Sequence, residues 1–168
     1  NKLVTEVTDL YRAQIAGRGL RLTVSLDPEL TALVADPGRL RQLLHNLLTN
    51  AVEALEGHAD GEIRVATHLG SHDGSETAEV TVEDNGPGFQ RDLLGQVFDP
   101  YVTTKARGTG LGLAIVRKIV EEHGGYVEAD NRAGGGARVR IGLPLTETTR
   151  SQAARREPRR PEARRERA

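Results

Sequence analysis

At 168 residues the chain has the size of one ordinary domain and can bury its own core without disulfides or a structural metal. It has no cysteine, which excludes a disulfide framework, a thiolate zinc site and a cysteine nucleophile, and fits a reducing compartment. The net charge of −1 divides unevenly: residues 146–168 carry eight arginines against four glutamates, so residues 1–145 hold 15 basic and 20 acidic side chains, the wrong balance for a nucleic-acid-binding core.

No apolar run approaches the roughly 18 residues of a membrane span, and no signal-peptide pattern opens the chain. Asn1 as first residue, with no methionine anywhere, implies a piece cut from a longer protein. The tail 146–168 has only alanines among its Arg, Glu, Gln, Pro, Ser and Thr, and is expected to be a disordered, solvated terminus.

In chain order, Leu3, Val7, Leu10, Tyr11 and Ile15 recur at helical spacing over 3–16, and Gly17 and Gly19 should stop that helix. Residues 20–26 alternate as a half-buried strand, and Leu33-Val34-Ala35 is expected to add a short second one. Asp36-Pro37 is a helix start, an N-cap carboxylate before proline, and the helix should run to about Leu55. Strands are expected at 63–68 and 78–82 around a polar stretch, 70–77. Residues 84–110 contain five glycines and two prolines, with at most a short helix near 91–96; a connection this long inside a compact domain is usually functional. Helical periodicity returns over 111–123 through Leu113, Val116, Ile119 and Val120. A hairpin, 126–129 and 137–143 around Gly134-Gly135-Gly136, closes the chain. This order implies an α/β fold, a mixed sheet with helices on one face.

Three segments have residue types suited to chemistry. On the helix 37–55, Asn46 and Asn50 share a face about 100–140° from the leucine stripe, where Glu53 also projects. They are either the polar flank of a surface helix or part of a site. Asp84-Asn85-Gly86-Pro87-Gly88 follows a strand; it is either an ordinary turn or a place where a carboxylate, which only accepts, meets an exocyclic amine. Gly108-Thr109-Gly110-Leu111-Gly112-Leu113 leads into a helix whose first amides are free to bind phosphate, though a hinge has the same composition. Upstream, Thr103, Thr104, Lys105 and Arg107 supply hydroxyls and cations able to fold over a triphosphate.

The order and spacing of these segments, Asn46-Leu-Leu-Thr-Asn50-Ala, Asp84-x-Gly-x-Gly, Phe98-Asp-Pro-Tyr101 with Thr103-Thr104-Lys105, and Gly-Thr-Gly-Leu-Gly-Leu, resemble the N, G1, F and G2 boxes of sensor histidine kinases. The likeness covers about residues 1–145 and is to the catalytic ATP-binding domain, within the GHKL ATPase superfamily. Around the boxes it looks most like the nitrogen-regulation type. The resemblance implies a two-layer α/β sandwich and ATP and Mg²⁺ as ligands. Asp84 would take the adenine amine, with Gly86 and Gly88 shaping the pocket. Asn50 would hold Mg²⁺, and Asn46 would lie close to metal and phosphates. Thr103, Thr104, Lys105, Gly108, Thr109, Gly110, Leu111 and Gly112 would line the phosphate end under a lid of residues 89–109, with Phe98 and Tyr101 anchoring the lid or docking on a helical partner.

It further implies, as partners, a dimerising helical domain with a phosphoacceptor histidine and a downstream response regulator. The piece itself should be a monomer, cytoplasmic, in a membrane-anchored bacterial sensor but without membrane contact of its own, and bind no nucleic acid. No histidine here fits the acceptor pattern: His45, His58, His68, His72 and His123 read as plain surface residues. The family's late Gly-Thr reads Gly136-Ala137, so that hydroxyl is lost. A hydrolytic GHKL ATPase would carry glutamate where Asn46 stands, and an anti-sigma-type serine kinase would differ in the lid.

Overall fold

The computed structural model describes residues 1–30, 33–105 and 108–145. Three helices, α1 (Lys2–Gly17), α2 (Pro37–Ala54) and α3 (Gly112–Glu122), accompany five strands: β1 (Arg21–Leu26), β2 (Glu62–His72), β3 (Ser75–Asp84), β4 (Tyr126–Asn131) and β5 (Ala137–Pro144). The strands form one sheet in the order β1-β2-β3-β5-β4, with β1 parallel to β2 and every other pairing antiparallel. This is the expected two-layer mixed sheet. The Arg-rich tail lies outside the described residues, as does Arg107.

Alternation along the strands separates the layers. Ile63, Val65, Val82, Val139, Ile141 and Leu143 pack in one core with all three helices. The stripe that spacing predicts along α2 is buried at Leu43, Leu44, Leu47, Leu48, Ala51 and Leu55, Val52 joins it, and Leu40 at its start is only partly buried. Leu48 is fully enclosed, so truncation to alanine would cost about 2–5 kcal/mol. Asp36 caps the helix, its Oδ1 accepting from Gly38 N at 2.8 Å and Arg39 N at 3.1 Å. The bonds from Arg39 and Gly38 hold its carboxyl below the ordinary range.

Several expectations need correction. Leu33–Ala35 is not a strand, and Val34 is 62% exposed. Leu10 faces solvent, while Val4 and Thr8 take its place in the core; the Thr8 hydroxyl is satisfied by Val4 O at 2.9 Å. The polar stretch 70–77 is not a loop. β2 and β3 run through it to a two-residue turn, Asp73 (φ 48°) and Gly74 (φ 76°), whose positive angles suit a tight hairpin.

Four of the five histidines have defined partners. His45 Nδ1 meets the Tyr11 hydroxyl, which also reaches Thr49 Oγ1 at 2.9 Å and so ties α1 to α2. His123 Nδ1 lies 2.7 Å from Ile119 O while its Nε2 accepts from Asp36 N at 3.2 Å, linking the end of α3 to the start of α2. On the sheet face away from the helices, His68 Nε2 lies 2.7 Å from Glu79 Oε2, and His72 stacks on Tyr126 with centroids 4.0 Å apart.

Glu79 is buried on that open face, accepting from the Tyr126 hydroxyl at 2.6 Å. Tyr126 lies flat across Gly142, where a β-carbon would come 2.1 Å from its ring. Burial pushes the Glu79 carboxyl up, but the bonds from Tyr126 and His68 and the Arg140 charge more than offset it. Burial first, then the bond to Glu79, pushes the Tyr126 phenol from 10.0 up to about 12. A phenol raised in the folded state gives stability that is whole below the unfolded value and is lost as pH rises through the folded one. Thermal melts of wild type and Tyr126→Phe should therefore converge between about pH 10 and pH 12; a constant gap across that window would contradict the assignment.

Candidate functional site

α2 lies with its leucines on the sheet and its asparagines turned towards α3, and the four motif segments meet beside it around a cavity of about 670 Å³. Asn46, Asn50, Asp84, Gly88, Thr103, Thr104, Lys105, Gly108, Thr109, Gly110, Leu111 and Gly112 all line it. Gly86 is set behind the wall, where a β-carbon would come 3.0 Å from Ala54 O. Leu47, Val82, Phe89, Leu93, Val97 and Val139 add apolar lining suited to a flat heterocycle.

Asp84 ends β3 and is buried. Gly86 N donates to its Oδ1 at 2.9 Å and Ala137 N at 3.2 Å, so both backbone donors address one oxygen while the carboxylate lines the cavity. Burial raises its carboxyl above the ordinary value, against the bonds from Gly86 and Ala137 and the charges of Arg132 and Lys105. The late Gly136-Ala137 thus still contributes. The hydroxyl is missing, but the Ala137 amide serves Asp84. Gly136, at φ 95°, passes so close that a β-carbon would lie 1.9 Å from Asp84 O.

At the other end, α3 starts at Gly112 with no side-chain cap, so its first-turn amides retain donor capacity. Gly112 abuts α2, a β-carbon there coming 3.3 Å from Asn50 Nδ2. Lys105 Nζ lies 3.4 Å from Asn50 Oδ1 and 2.5 Å from Glu53 Oε2. Asn46 Nδ2 is buried with no hydrogen-bond partner among the described residues, an orphan donor in the cavity wall.

Between the two ends, the expected short helix is a single 3-10 turn, Leu94–Gln96. Phe98 packs against the core, whereas Tyr101, at φ 67°, is 78% exposed. Its backbone N donates to Gly110 O at 2.9 Å and closes the segment on itself. Phe98 is the anchor of the pair, and the Tyr101 side chain is presented outward.

Sequence reasoning missed Asn131 and Arg132. Asn131 Oδ1 accepts from Phe89 N at 2.7 Å and its Nδ2 donates to Phe89 O at 2.8 Å, so one side chain pins the start of the segment to β4. Arg132 Nη1 donates to Asp84 O at 3.0 Å. Both residues are more than 40 positions from their partners, and no local spacing signals them. Asn131→Ala should speed amide exchange at Phe89 and the residues after it while α2 stays protected; unchanged exchange at Phe89 would mean the clamp is not what holds the segment.

Residues 35–147 match the family described as histidine kinase-, DNA gyrase B- and HSP90-like ATPases. The sensor histidine kinase ZraS of Klebsiella oxytoca is 41% identical over 145 residues, which is 86% of this chain and 30% of that protein. The sensory histidine kinase/phosphatase NtrB of Rhizobium leguminosarum bv. phaseoli is 43% identical over 125 residues, 68% of this chain and 33% of that one. The chain thus spans about a third of the length of these curated relatives. The solved catalytic domain of histidine kinase ThkA superposes with a TM-score of 0.74 at 34% identity, covering 86% of this chain and 91% of that domain. These relatives bear out the resemblance drawn from the motifs.

Proposed function

The chain belongs to the family of histidine kinase-, DNA gyrase B- and HSP90-like ATPases, and on that premise we propose that it binds ATP with Mg²⁺ and presents the γ-phosphate to a histidine on a separate helical domain. The observation that carries this reading is the polarity of the cavity beside α2. A buried acceptor, Asp84, sits among apolar side chains at one end. Lys105, the orphan amide of Asn46 and the uncapped start of α3 converge at the other. That is the polarity of a nucleotide, base amine at one end and anionic phosphates at the other.

In this reading Asp84 takes the adenine amine, Lys105 and the backbone of Gly108, Gly110 and Gly112 meet the phosphates, and Asn46 donates to a phosphate oxygen. The residues fit Mg²⁺ in a particular way. Among the described residues no group of three His, Cys, Asp or Glu side chains converges to cage an ion. A Mg²⁺ carried in by phosphates needs only one or two protein oxygens, and Asn50 Oδ1 offers one. When bound, the ion neutralises charge on the phosphates. Asn46 is an amide and cannot take a proton from water, which favours transfer to an incoming imidazole over hydrolysis.

The nucleophile lies on the partner domain, so this chain alone is expected to be idle in autophosphorylation and monomeric. Its phosphate passes onward to a response regulator. On its kinship with sensor histidine kinases we place this piece on the cytoplasmic side of its sensor; no helix among the described residues is long and apolar enough to cross a membrane.

Asp84→Asn tests the adenine end. The fold favours the neutral form of this raised carboxyl, so its ionised form costs stability at neutral pH and the neutral amide removes that cost. The melting temperature at pH 7 should hold or rise, while calorimetric affinity for Mg²⁺-ATP falls about 10- to 100-fold. Unchanged affinity would overturn the assignment.

A further inference from the structure

Glu53 stands where a nucleotide reading has no obvious use for it. It lies three residues after Asn50 on α2, hence on the same face, and puts a carboxylate at the phosphate end of the cavity. A negative charge there repels a triphosphate. The surroundings show what offsets it. Lys105 Nζ is 2.5 Å from Glu53 Oε2 and 3.4 Å from Asn50 Oδ1, so a carboxylate oxygen and an amide oxygen converge on one cationic position. That position adjoins the start of α3, since Gly112 abuts the Asn50 amide.

We propose that Glu53 makes this site selective for metal-bound over metal-free nucleotide; the inference rests on the nucleotide reading above. With Lys105 neutralised by Glu53, the pair has no net charge to offer a metal-free triphosphate. A divalent cation arriving on the phosphates changes the balance. The oxygens of Asn50 and Glu53 then face that cation or its water shell, and the Lys105 ammonium is released to the phosphate oxygens. Lys105 and Mg²⁺ thus exchange at one position, and the carboxylate converts from a repulsive to an attractive group on exchange. An amide at position 53 would keep the shape and lose the discrimination.

The test is the affinity of this chain for a non-hydrolysable ATP analogue, measured by calorimetry in excess MgCl₂ and in EDTA. Wild type should bind much tighter with Mg²⁺. In Glu53→Gln the ratio of the two affinities should shrink about tenfold, in part through tighter binding in EDTA. Glu53→Asp, which keeps the charge, should hold a ratio close to wild type. The side chain is half exposed, so melting curves matching wild type are expected of both variants. A Glu53→Gln ratio equal to that of wild type, an equal loss under both conditions, or a wild type indifferent to Mg²⁺ would each overturn the proposal. Failure of wild type to bind the analogue at all would instead overturn the nucleotide reading.

Discussion

A buried carboxylate at the end of the central strand is the constraint around which the cavity is arranged. Asp84 sits where β3 leaves the middle of the sheet, and burial of a charge is tolerated only when donors address it. Its two donors come from opposite directions: Gly86 from the turn that follows, and Ala137 from the first residue of β5. One side chain therefore ties the turn after β3 to the start of β5 and leaves an acceptor facing the cavity. The fold accepts a carboxyl whose neutral form it prefers, which accords with the binding role proposed for it.

The second organising feature is the division of labour around α2. Its leucine stripe is bound to the sheet and to the other helices, so its rotation about its own axis is set by the core. That rotation fixes where Asn46, Asn50 and Glu53 stand, and α3 begins against the same face. The polar groups are held on a rigid element, while the chain that faces them is fastened by Asn131 at Phe89 and by the bond from Tyr101 N to Gly110 O. A rigid floor faced by a fastened segment accords with the nucleotide site proposed above.

Much of this was legible in the chain. Periodicity and the Asp36-Pro37 start located the three helices, alternation located β1 to β3, the glycine run located the last hairpin, and the resemblance implied that the motif residues share one site, of which only Gly86 stands behind the cavity wall. The failures have physical causes. Leu33–Ala35 is apolar but too short to pair, while the strands around Asp73-Gly74 were hidden because half their residues face a polar, open side of the sheet. The Asp-Gly pair itself was the available hairpin signal. Leu10 shows that a stripe read by spacing can be off by one position at its edge. Partnerships across long separations, such as Asn131 with Phe89, Arg132 with Asp84 and His68 with Glu79, leave no local trace. The histidines looked idle for that reason, and Glu53 was visible on its helix face without any sign that Lys105 would meet it.

The most direct test of the central claim follows the γ-phosphate itself. The chain is incubated with Mg²⁺ and γ-labelled ATP, first alone and then with the helical, histidine-bearing domain of its own parent protein supplied separately. The account predicts binding with almost no phosphate release by the chain alone, and acid-labile label on the helical domain once it is added. Steady release of phosphate by the chain alone, abolished by Asp84→Asn, would contradict it, because a group other than Asn46 would then be activating water in the same site.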